Sequence, residues 1–206
     1  MFGARCDKET IVVETVQQKL RSVDRYARNY DFHQSKGGAA MTSSDLVSFQ
    51  IRAATKADVP VVLSFIKKLA DYERLSHEVV ATEKTLADTL FGRRRTAEVA
   101  IGYYKRAPVG FVLFFHNYST FLGRPGIYIE DLFVDEAFRR RGFGRALLTY
   151  VAKLAKERQC GRLEWSVLDW NEPATNFYRK LGALPMSEWT VFRVTGDNLT
   201  KLARED

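Results

Sequence analysis

The stretch from Tyr128 to Lys156 constrains this chain most. An apolar run, Tyr128-Ile129-Glu130-Asp131-Leu132-Phe133-Val134, suits a strand. A basic turn follows, Arg139-Arg140-Arg141-Gly142-Phe143-Gly144, and Arg145 to Lys156 carries helical spacing. The first amides of a helix lack intrahelical partners, and the helix dipole puts partial positive charge there. Glycine lets backbone approach a ligand with no side chain between them. A basic glycine turn between a strand and a helix is therefore a device for holding phosphate. The pattern is Arg-x-x-Gly-x-Gly, unlike a Walker loop or the dinucleotide GxGxxG. Taken alone, the same residues also suit a solvated basic corner; the strand–turn–helix setting favours phosphate. Arg93-Arg94-Arg95 lacks that setting and reads as a solvated loop.

The rest of the chain supplies an α/β context. Ser48 to Ala53 alternates as a strand does. Asp58 suits a helix cap, with Pro60 in the first turn and Val62, Phe65, Ile66 and Leu69 at helical spacing. Thr82 opens a second helix that ends near Gly92. Glu98 to Lys105 and Val109 to Asn117 read as strands around an Arg106-Ala107-Pro108 turn, and Ile127 to Val134 as the next strand. Beyond the glycine turn come a strand at Leu163 to Leu168, a helix capped by Asn171 and stopped near Gly182, a strand at Glu188 to Thr195 and a short closing helix. This order predicts an α/β fold with a mixed, mostly antiparallel central sheet and helices on both faces.

With 46% hydrophobic residues over 206 positions, one domain can bury a core. Residues 1–45 read as an N-terminal extension, disordered or an artefact of the gene model with Met41 as an alternative start; residues 46–206 form the domain. The net charge of +7 suits an anionic cofactor, membrane or nucleic acid, or a basic surface with no partner. No nucleic-acid recognition motif accompanies the charge. Cys6 and Cys160 lack metal or disulfide spacing, and His33, His77 and His116 lack ligand spacing, so no metal is expected. No apolar run reaches the roughly 18 residues of a membrane span. A cytoplasmic protein without membrane or nucleic-acid partners is the expectation.

Two further features carry chemistry. Glu130-Asp131 lies inside the apolar strand; adjacent strand residues face opposite sides, so one carboxylate should point into the packed face or a cleft. A desolvated carboxylate makes a general base near neutral pH, while a strand-end ion pair is the alternative. In Leu168-Asp169-Trp170-Asn171-Glu172-Pro173-Ala174-Thr175-Asn176-Phe177-Tyr178, Asn171 starts a helix and Tyr178 lies about two turns on, on the same face, where it is either a proton donor or a core aromatic.

Together, Tyr-Ile-Glu-Asp-Leu-Phe-Val, Phe-Arg-Arg-Arg-Gly-Phe-Gly and Leu-Asp-Trp-Asn-Glu-Pro-Ala-x-x-Phe-Tyr-x-x-Leu-Gly-Ala resemble the GNAT N-acetyltransferase superfamily, nearest its diamine and thialysine branch, over roughly residues 49–202. The resemblance implies an acetyl-CoA-dependent N-acetyltransferase acting on a small primary amine such as a lysine analogue or diamine. Acetylation of a protein lysine or N-terminus, and non-catalytic CoA binding, are the alternatives. It implies cofactor contacts from Leu132, Phe133, Val134, Arg139, Arg140, Arg141, Gly142, Phe143, Gly144 and Arg145, and from Asn171, Glu172, Pro173 and Ala174. It implies Glu130 as the base, through water, and Tyr178 as the acid that protonates the leaving thiolate. Tyr72, Glu73, Asp131, Glu164, Trp165, Ser166 and Glu188 fall on the amine side. Polyamine enzymes carry an aspartate near Ser119 that this chain lacks, which favours a lysine analogue over spermidine. Members of this branch are often dimers, so a homodimer is expected.

Overall fold

The computed structural model describes residues 48–205; the 1–45 extension lies outside them. Five strands form one sheet in the order β1-β2-β3-β4-β5: β1 Phe49–Ala53, β2 Glu98–Tyr104, β3 Ala107–Ser119, β4 Arg124–Val134 and β5 Leu163–Trp165. The first three pairings are antiparallel, and β4 with β5 is parallel. Five α-helices accompany them among the described residues: α1 Val59–Tyr72, α2 Glu83–Phe91, α3 Phe143–Glu157, α4 Glu172–Lys180 and α5 Gly196–Leu202.

Each face of the sheet is covered by the helix whose apolar stripe matches it. Val62 and Phe65 of α1 and Leu90 of α2 pack on Val99, Ile101, Phe111, Leu113 and Phe133. Phe65 stacks on Phe111 with ring centroids 5.5 Å apart. On the other face, Leu147, Leu148, Val151 and Ala155 of α3 pack on Ala100, Val112, Phe114, Ile127 and Ile129. Phe143, in the first turn of α3, stacks on Phe49 of β1 at 4.2 Å and closes the sheet's end. The mixed sheet with helices on both faces is the architecture the sequence predicts.

Local departures have physical reasons. Asp58 does not cap α1 with its side chain. Its carboxylate instead takes Arg52 at 2.7 and 2.8 Å and the Thr55 amide at 2.7 Å. Arg52 above all, aided by Thr55, holds it well below the usual carboxylate range, and this fork bonds β1 to the entrance of α1. The β2–β3 turn is tighter than expected, with Lys105 and Arg106 at φ 49° and 68°. Two left-handed residues fit a two-residue hairpin, and Ala107 and Pro108 already belong to β3. The strand expected at Leu163 to Leu168 stops at Trp165. The strand expected at Glu188 to Thr195 is absent among the described residues. Its alternation is present, but Val191 and Phe192 are 80% and 90% exposed, so no face packs against this chain's described core.

Candidate active site

The site begins with a break in β4. Leu113 of β3 pairs with Asp131 while Phe114 pairs with Ile129, so Glu130 is an extra residue, a β-bulge. Ile129 and Leu132 consequently both pack on the α3 side, which strict alternation would forbid. Phe133 packs on the α1 side, and Asp131, two residues earlier, shares that face. The sequence expectation that Glu130 and Asp131 point to opposite faces assumed a regular strand, and the bulge removes that premise.

The sheet forks at the same place. β5 pairs with β4 only at Ile127, Tyr128 and Ile129. Beyond that point Leu132 to Val134 keep their pairing with β3 but have left β5. The opposite wall of the fork is α4, reached through Trp165 and Tyr178, whose rings lie 4.9 Å apart. Asn171 caps α4 by accepting from the Ala174 amide at 3.3 Å and also accepts from the Tyr72 hydroxyl at 3.2 Å. That bond spans from the end of α1 to the start of α4. The Arg139 guanidinium sits 4.3 Å from the Tyr72 ring centre, and its Nε donates to the Val134 carbonyl at 3.1 Å. Sequence reading gave Arg139 and Tyr72 to different ligands; the structure places them in contact.

The turn that leads into α3 suits phosphate. Arg140 and Gly142 are left-handed, at φ 62° and 80°. For Gly142 this costs little, whereas Arg140 is strained. Among the described residues no side chain caps α3, and its first turn holds no acidic residue. Uncapped amides and the dipole together favour an anion. A Cβ added to Gly144 would meet only the Val134 side chain, at 3.8 Å, so protein packing does not require glycine there. The bare backbone leaves room beside the Leu132–Val134 edge for a bound group.

Electrostatics single out three residues. Burial, then the charges of Glu130 and Glu73, raise the Asp131 carboxyl to about 7. Burial also raises Glu73, which follows the last turn of α1. Burial, and secondarily Glu73, push the Tyr178 hydroxyl up to about 12. Glu73 thus lies within electrostatic reach of both Asp131 and Tyr178. Glu130 is exposed.

The other predicted amine-side residues separate. Glu164 accepts from Asn117 Nδ2 at 2.7 Å and lies 2.8 Å from Arg162 Nε. Ser166 shares a hydrogen bond with the Tyr128 hydroxyl at 2.6 Å. Glu188 stands exposed in the C-terminal segment. Sequence reading missed Asn117 and Arg162 as partners of Glu164; the strand register that brings them together has no local signature.

Residues 66–183 match the acetyltransferase (GNAT) family. The chain belongs to that family. An L-ornithine N5-acetyltransferase of Arabidopsis thaliana is 38% identical over 195 residues, covering 73% of this chain and 86% of the relative. A thialysine N-epsilon-acetyltransferase of Mus musculus is 33% identical, covering 77% of this chain and 99% of the relative. An integron cassette protein from the mobile metagenome of V. cholerae has the same fold, with a TM-score of 0.65 and 26% identity over 77% of this chain and 99% of that one. The protein is thus a GNAT N-acetyltransferase. No helix among the described residues is long and apolar enough to cross a membrane.

Proposed function

We propose that this enzyme transfers acetyl from acetyl-CoA to a primary amine of a small molecule, of the ornithine, thialysine or lysine-analogue kind, by direct attack in a ternary complex. The observation that carries this reading is the β4–β5 fork, with an uncapped helix N-terminus at one end and the Glu73, Asp131 and Tyr178 group at the other. Acetyl-CoA supplies an activated acyl thioester. The amides from Arg140 to Arg145 hold its pyrophosphate, and the Leu132–Val134 edge takes its amide-bearing arm as an added strand would. Asn171 to Ala174 line the opposite wall. Arg139 must give up the Val134 carbonyl if that acceptor is used.

On the amine side, Glu73, Glu130 and Asp131 attract an ammonium group, with Tyr72 beside them. An aliphatic amine has a pKa near 10.4 and must lose a proton before it attacks. The bulge carboxylates supply the base; Glu130, by family resemblance, acts through water. The strand amides near Leu132 stabilise charge on the carbonyl oxygen. Tyr178 remains protonated at every working pH, so its hydroxyl is always available to the leaving sulfur. Trp165 and Ser166 line the far side of the amine pocket, while Glu164 and Glu188 recognise a distal part of the substrate. Residues 46–206 act as the catalytic domain, and two chains associate through the exposed apolar residues of the C-terminal segment.

The test is an acetyl-CoA-consumption assay over ornithine, thialysine, lysine, spermidine, putrescine and small peptides. Small amino-acid amines should turn over fastest. Tyr178→Phe should lower kcat by about 100-fold with acetyl-CoA affinity within about threefold. Preferential acetylation of the peptides would overturn the substrate class, and an unchanged kcat would remove Tyr178 from the mechanism.

A further inference from the structure

The bulge presents two carboxylates, and family resemblance points to the glutamate. The geometry points to the other: we propose that Asp131 is the group that takes the proton from the bound ammonium. This rests on the acetyl-transfer reading above and assigns the proton step within it.

Four observations carry it. First, Asp131 sits two residues past the last β4–β5 rung, Ile129 with Trp165, which places it at the mouth of the fork where an acyl group held along Leu132–Val134 would end. Second, Asp131 is partly buried whereas Glu130 is exposed. A carboxylate that keeps its water is a weak acceptor for an ammonium proton, and one that has lost its water is a strong one. Third, the surroundings of Asp131 hold no fixed cation that would tie it up. It has no ion-pair partner among the described residues, unlike Asp58, Asp135 and Glu98, each of which pairs with Arg or Lys. The residue opposite it on β3 is Leu113. Glu73 faces it from the end of α1, Glu130 adjoins it on β4, and both raise its proton affinity. Arg139 is turned toward Tyr72 and the Val134 carbonyl. Fourth, the Tyr178 ring lies 4.9 Å from that of Trp165, the β5 residue of the last rung, on the α4 side of the fork, so proton acceptor and proton donor flank one gap.

The step balances with these residues alone. Asp131 takes the first N–H proton and passes it to solvent. The freed lone pair forms the C–N bond as the C–S bond breaks. Tyr178 gives its hydroxyl proton to the departing sulfur and recovers the second N–H proton through solvent. An arriving ammonium ion also favours the ionised Asp131, so binding the cation prepares the base.

The experiment is the pH profile of kcat/KM for the full chain with acetyl-CoA and L-ornithine, alongside thialysine and lysine. The parent should show an acidic limb near pH 7, the value burial and the two glutamates give Asp131. Asp131→Asn should lower kcat/KM at pH 7 by about 100-fold, lose that limb, and instead climb with pH toward the amine's own pKa of about 10.4. Glu130→Gln should lower the rate and keep the limb, shifted only to lower pH because one of the two charges that raise Asp131 is gone. Acetyl-CoA affinity of Asp131→Asn, by fluorescence titration, should match the parent, which shows that the variant is folded. A limb that survives in Asp131→Asn and vanishes in Glu130→Gln overturns the proposal. If the parent acetylates none of these amines, the acetyl-transfer reading itself fails, which is a separate result.

Discussion

A single proton at Asp131 ties the stability of the fold to pH. Its carboxyl is raised to about 7, against an ordinary value near 3.9, chiefly by burial. A raised carboxyl pKa means that the folded state binds this proton more tightly than the unfolded chain. The stabilisation is complete below the unfolded value, near pH 4, and is lost as pH rises through about 7. Asp131→Asn removes that loss. The variant should be more stable than the parent at pH 8.5 by about 2–4 kcal/mol, or about 5–10 °C in Tm, with the difference closing toward pH 4.5. Thermal melts at the two pH values measure it; a variant less stable than the parent at pH 8.5 would show that the carboxylate is not desolvated. The comparison also separates a desolvated, unpaired aspartate from one paired with a cation, because the paired one would behave in the opposite sense. Asp58 is such a partner: Arg52 lowers its pKa, so its contribution is present above about pH 4 and fades in acid.

At the level of elements, local chemistry made most of the fold legible. Periodicity located α1 and α3, Thr82 and Asn171 mark helix starts that the structure keeps, with side-chain acceptors for the Thr85 and Ala174 amides, and Gly182 takes the left-handed φ of 85° that ends α4. The open turn before α3 was legible because glycine and the lack of a capping side chain are readable one residue at a time. Register was not. The Glu130 bulge depends on how Leu113 and Phe114 align with β4, and the Glu164 cluster on the alignment of Asn117, Gly126 and Arg162 across three strands. The strand expected at Glu188–Thr195 does not form, because alternation is not enough: pairing needs a neighbour, and no described strand lies beyond β5. The latch of Arg139 on Tyr72 was also hidden, because the two residues are remote in sequence and meet only when the turn before α3 folds back on the end of α1.

For the whole molecule, the unpaired stretch near the C-terminus is the main unsettled surface. Met186, Val191, Phe192 and Val194 are all exposed, a concentration of apolar area that a lone chain in water does not favour. If two chains bury it, light scattering after size exclusion should give a dimer mass for the parent, and Phe192→Glu should shift it to the monomer; a monomeric parent would dismiss the homodimer. The bulge in β4 carries a different lesson, best put in genetic terms. An in-frame loss of the Glu130 codon would heal the strand: Asp131 would follow Ile129 in regular alternation, Leu132 would still face α3 and Phe133 would still face α1. The shortened protein should therefore melt within about 3 °C of the parent yet acetylate amines more slowly, as calorimetry and the amine assay would show. In that sense one codon of this gene is surplus to the architecture, and the reaction alone would keep it from being lost.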